Sequence, residues 1–189
     1  MIDMFPACAL TADLVTNVKD DQLGARTPCE HMTVAALVSH IGDVSTAFTD
    51  AAAKRTGVLT DKLPEIGEHL VSDWRTVYPD RLTALAGAWE NPAAWEGSTR
   101  AASLNFDGER CGLVTLTEVV VHGWDLARAT GQPFSVGDSV LDAVHSHLTW
   151  LVQQGPDESL FKKPVPVPDD APLLDRVIGL TGRNPGWSA

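Results

Sequence analysis

Cysteine is scarce in this chain: 189 residues carry three, Cys8, Cys29 and Cys111. They fit no zinc-finger spacing and no disulfide framework, and a reducing cytoplasm is the expected setting. Basic residues are few as well, 14 Lys and Arg against 25 Asp and Glu, for a net charge of -11. That balance argues against nucleic acid or an anionic membrane as the main partner, and it does not disfavour a cation. No apolar run reaches the length of about 18 residues that would suggest a membrane span. The opening MIDMFPACALTADL has no basic region and no long apolar stretch, so no signal peptide is read there. Strand patterns are nearly missing too. With 44% hydrophobic residues, the chain is expected to form one globular domain, 1–189, large enough for a real core.

Helical periodicity fills the space that strands leave. Residues 7–18 place Leu10, Leu14, Val15 and Val18 on one side. Thr33 reads as the N-cap of a second helix reaching about Lys54, with Val34, Leu37, Val38, Ile41, Val44 and Phe48 as its stripe. His40 lies at the edge of that stripe. A third helical region spans about 64–90, where Pro79 is expected to kink or split it. The stretch 95–112 reads as an irregular connection or small hairpin, with Asp107-Gly108 as its turn signal. Asp138–Gln154 is a further long helix. Alternating prolines from Lys162 to Asp170 dictate an extended segment, and Asp170 is placed to cap a short last helix, Ala171–Thr181.

The informative stretch is Leu113–Gly131, LVTLTEVVVHGWDLARATG. Gly131 and Pro133 end it. It is apolar around most of its circumference, which marks a buried helix. Yet Glu118, His122 and Asp125 fall at i, i+4 and i+7 on one face. Two acids and a histidine in an apolar setting are costly without partners. A metal cation would supply one, since Glu and His are both ligands. A buried Glu–His hydrogen bond joined by Arg128 is the alternative. Asp125 either orients His122 or pairs with Arg128 at i+3.

Spacing alone does not decide. Glu65 and His69 repeat the E-x-x-x-H pattern, but among Lys62, Glu68 and Asp73 they read as a solvated helix face. His145 and His147 are two residues apart, cannot chelate together, and read as structural or surface groups. Four long helical regions with one long crossover give a four-helix bundle with additions, and bundles place metal sites between facing helices. His40 on one helix can therefore meet Glu118 and His122 on another.

Three strings, TPCEHMTVAALVSHI, EVVVHGWDLARATGQP and VPVPDDAPLLDRVIGLTGR, together resemble the DinB/YfiT superfamily of metal-binding proteins. The likeness is to the branch related to mycothiol-dependent maleylpyruvate isomerase and covers nearly the whole chain. It implies an all-α, DinB/YfiT-like four-helix bundle with a long crossover and a short C-terminal helix. It also implies a divalent metal, zinc first and Ni2+ or Fe2+ otherwise, held by His40, Glu118 and His122. Three protein ligands leave an open position, the arrangement of catalytic rather than closed structural sites. Mycothiol as cosubstrate and a homodimer are implied by the resemblance alone. There are two departures from the family pattern. Met32 stands where a Trp often follows the T-P-C string, and the isomerase's further C-terminal domain is expected to be absent here, with only a short tail in its place.

Three functions compete. One is a thiol-dependent S-transferase or isomerase-like enzyme acting on a small-molecule thiol and an electrophile. Another is a metal-dependent hydrolase, in which the same site activates water. The last is a non-catalytic metal-binding stress-response protein. A thiol enzyme requires a basic pocket, for which Arg100, Arg110 and Arg128 are the candidates. No residue announces itself as general acid or base.

Overall fold

A computed structural model describes residues 1–61, 67–155 and 161–189. Helix α1 spans Phe5–Thr16, α2 Val34–Ala52, the short α3 Val58–Asp61 and α4 Trp74–Trp89. A hairpin of β1, Ser98–Ala101, and β2, Leu104–Asp107, precedes α5, Gly108–Thr130. Then come α6, Asp138–Gln154, and α7, Leu173–Leu180. Helices α4 and α5 each pack on both α1 and α2, which makes these four the bundle. Helix α6 flanks α5 and carries α7. The core runs between them through Leu37, Tyr78, Leu82, Trp89, Leu116 and Leu126, all buried.

Local chemistry sets the boundaries. Thr33 caps α2 as expected, its hydroxyl accepting from the Ala36 N–H at 3.2 Å. Gly131 ends α5 at φ +69°, the left-handed C-terminal stop that glycine takes at little cost. Helix α4 begins only at Trp74 and runs unbroken through Pro79, so the expected third helix is shorter and is not split. His69 therefore lies in a non-helical stretch; it is exposed, and its Nε2 meets the Asp43 carboxylate at 2.7 Å. Its expected companion Glu65, with Lys62, lies outside the described residues.

The hairpin exists, but Asp107-Gly108 is not its turn. Ala102 and Ser103 turn the chain, both at positive φ (48° and 66°), the geometry of a two-residue hairpin loop. Asp107 instead caps α5, its carboxylate accepting from the Arg110 N–H at 2.8 Å. Aspartate serves turns and caps by the same means, a short acceptor reaching backbone N–H groups. Asp170 likewise does not cap the last helix; Pro172 occupies that position without a side-chain bond.

The proline-rich strap positions the chain beyond α7. The Val165 N–H donates to the Gly179 carbonyl at 2.9 Å, and a Cβ at Gly179 would sit 2.4 Å from Val167. Helix and strap thus touch at a glycine, and Gly182, at φ +78°, then turns the chain back toward the bundle.

Candidate metal centre

The face read from the α5 sequence does point inward, and α2 supplies its complement. Glu118 Oε2 lies 3.2 Å from His122 Nε2 and 3.6 Å from His40 Nε2. The two imidazoles meet edge to face with centroids 4.8 Å apart. One ligand atom from each of His40, Glu118 and His122 falls within 4.8 Å of the others. Helix α2 packs on α5, and that packing brings the His40 ring against His122. The group is half-buried on the carboxylate side, with Glu118 and His40 retaining 18% and 12% of their side-chain exposure.

Electrostatics bind this cluster together. Burial pushes the Glu118 carboxyl up, but the hydrogen bonds and charges of His122 and His40 outweigh it and hold the group far below the usual carboxylate range. Burial pushes His122 down, but the carboxylates of Asp125 and Glu118 outweigh it and raise this histidine to about 9. His40 Nδ1 is buried without a partner among the described residues.

Asp125 is fully buried and 3.0 Å from His122 Nδ1. Of its two expected roles, the geometry has the first. Arg128 does not pair with it: that guanidinium donates to the Trp187 carbonyl and lies over the Trp124 ring. The cation on Asp125 is Arg183, whose Nε and Nη2 reach the two carboxylate oxygens at 2.7 and 2.8 Å. Such a planar fork fits a carboxylate edge with both bonds well aligned. His122, Asp125 and Arg183 thus form one buried chain of contacts, starting on α5 and ending just beyond α7.

Two residues of this cluster are absent from the sequence-based expectation. Arg183 is not among the basic candidates, although its string, L-T-G-R, closes the third family-like segment; the signal is a glycine at a forced turn followed by arginine. Cys29 enters the sequence reading only as one of three cysteines that fit no zinc-finger spacing and no disulfide framework, within the first family-like string. The loop before α2 is closed by the Thr27 hydroxyl, whose single proton is within reach of both the Cys29 and the Met32 carbonyls at 2.9 Å. This holds the Cys29 sulfur within 4.8 Å of donor atoms of His122 and Asp125. Burial raises the Cys29 thiol, and the neighbouring Arg183 only partly offsets that. Arg100 and Arg110 are engaged elsewhere, with Asp61 and Trp150.

Residues 5–127 match the family described as the mycothiol maleylpyruvate isomerase N-terminal domain. The chain belongs to this family. Among its relatives are two uncharacterised proteins from strains of Mycobacterium tuberculosis, MT0763 and Rv0738. Each is 30% identical over 179 residues, covering 91% of this chain and 91% of the relative. The crystal structure of the mycothiol-dependent maleylpyruvate isomerase superposes with a TM-score of 0.63 at 14% identity. The overlap covers 97% of this chain and 88% of that one. The family member described here therefore has the all-α DinB/YfiT-like fold. The segment after residue 127, outside the family match, contributes Arg183 to the cluster. Among the described residues no helix is long and apolar enough to cross a membrane.

Proposed function

We propose that His40, Glu118 and His122 hold a divalent cation, zinc in the first instance, and that the protein is a thiol-dependent isomerase or S-transferase whose cosubstrate is a small thiol of the mycothiol type. The observation that carries the reading is the convergence of the three donors within 4.8 Å, with one carboxylate oxygen facing both imidazole Nε2 atoms. Two imidazoles and a carboxylate suit a borderline cation and leave a coordination position open. A cation held there would favour the anionic form of a thiol or water near neutral pH.

The protein's own groups have distinct tasks in this reading. His40 and His122 bind through Nε2, which requires both to be neutral there. Asp125 keeps a proton on His122 Nδ1 and so fixes the tautomer that exposes Nε2. Arg183 fixes Asp125 and neutralises it, which keeps the carboxylate from drifting toward the cation. Cys29 stands beside this relay as a neutral thiol at ordinary pH. The family's relation to a mycothiol-dependent isomerase supports the choice of thiol.

Cobalt-loaded protein titrated with mycothiol tests the assignment. The expected result is a new sulfur-to-cobalt absorption band that saturates with thiol and is missing in the His122→Ala variant. A cobalt spectrum that no thiol perturbs would replace this reading with a metal-dependent hydrolase or a metal-binding protein without catalysis.

A further inference from the structure

A second recess lies on another face of α5, away from the histidine cluster. Its walls are the first turns of α5 and the exposed side of α6, and its volume is about 470 Å³, within the usual range for small-molecule sites. Leu113, Ala143 and Trp150 give it an apolar lining. The Arg110 guanidinium sits 3.9 Å over the Trp150 ring and holds the indole in place. His147 also lines the recess, only 4% exposed, and its ring lies nearly parallel to that of Trp150, with centroids 6.5 Å apart.

The unusual feature is His147 itself. Its Nε2 is buried with no hydrogen-bond partner among the described residues. An unpaired buried polar group costs free energy and calls for a partner. Burial and the charge of Arg110 push this histidine down to about 4, so it is a neutral imidazole at ordinary pH. A neutral imidazole ring nitrogen donates or accepts according to tautomer, and a hydroxyl can answer either. Asp107 and Glu109 at the rim exceed the single charge of Arg110, which disfavours an anionic ligand.

We infer that this recess is a binding site for an uncharged hydroxylated aromatic molecule, its ring on Trp150 and Leu113 and its hydroxyl bonded to His147. The site uses none of the candidate metal ligands and is independent of the reading proposed for them.

The test uses the full chain with 2-naphthol as probe and naphthalene as its hydroxyl-free counterpart, followed by calorimetry and by two-dimensional NMR of the histidine rings. Saturable binding of 2-naphthol is expected, at least tenfold tighter than naphthalene, with the His147 ring signals shifting. His147→Phe keeps the shape and removes the polar atom, and should cost tenfold or more in affinity. Ser146→Trp, at an exposed α6 position, should block the recess without touching the core. Chelator-treated protein should bind the probe as the untreated protein does, which separates failure here from failure of the metal assignment. No saturable binding, equal affinity for naphthalene, or affinity unchanged in both His147→Phe and Ser146→Trp would overturn the inference.

Discussion

Asp125 shows how much a single side chain can be asked to do. It is fully buried, yet it accepts two bonds from Arg183 and contacts His122. Removing Arg183 while leaving Asp125 would strand a buried carboxylate. Arg183→Met should therefore destabilise the protein by about 3–5 kcal/mol in urea unfolding, and Arg183→Lys should recover only part of that, because an ammonium cannot reproduce the fork. A loss under about 1 kcal/mol would show that the pair is solvated in practice. For the metal, His122→Ala should abolish stoichiometric binding in elemental analysis of purified protein. Asp125→Ala should weaken binding about 10–100-fold, the usual cost of losing a group that orients a ligand. Full metal content in His122→Ala would reject the proposed ligand set.

At the scale of elements, close approach of helices rests on glycines that carry no other duty. Gly42, two residues beyond His40 on α2, would place an added Cβ 2.5 Å from the Tyr78 ring on α4. Tyr78 is itself buried and cannot swing away. Gly42→Ala should consequently force the two helices apart and cost about 1–3 kcal/mol, as overpacking does elsewhere. Gly24, in the loop between α1 and α2, has nothing within 4 Å of an added Cβ, and Gly24→Ala should leave the unfolding midpoint nearly unchanged. Comparable midpoints for the two variants would mean that the Tyr78 contact is softer than the packing implies.

For the whole molecule, two histidines bias the metal-free protein in opposite directions. His122 is raised from 6.5 to about 9 in the fold. Its contribution to stability is complete below about 6.5, where it is charged in both states, and is lost as pH rises through about 9. His147 is lowered from 6.5 to about 4, so its contribution is present above 6.5 and is lost as pH falls toward 4. Thermal unfolding of chelator-treated protein should therefore give a melting temperature that peaks near pH 6.5. His147→Phe should flatten the acid limb and His122→Ala the alkaline limb. An acid limb unchanged in His147→Phe would show that His147 finds a partner in solution.

Much of this was legible one residue at a time. The helix stripes of α2, α5 and α6, the Thr33 cap, the Gly131 stop and the shared face of Glu118, His122 and Asp125 are local. They follow from a period of 3.6 residues and from the chemistry of one or two neighbours. The crossing of His40 to that face was also within reach, because an apolar helix must pack on something and His40 edges a comparable stripe. That Asp107 caps α5 rather than turning the hairpin could not be read, since a turn and a cap ask for the same side chain. Nor could the pairing of Arg183 or the place of Cys29: 58 residues separate Arg183 from Asp125, and the strap folded over α7 closes that distance. The sequence by itself determined the helices and which residues share their faces, because those depend on neighbours along the chain. Which cation neutralises Asp125 and which loop lies against His122 were decided by tertiary structure, because a buried charge is satisfied by whatever the packing brings near it.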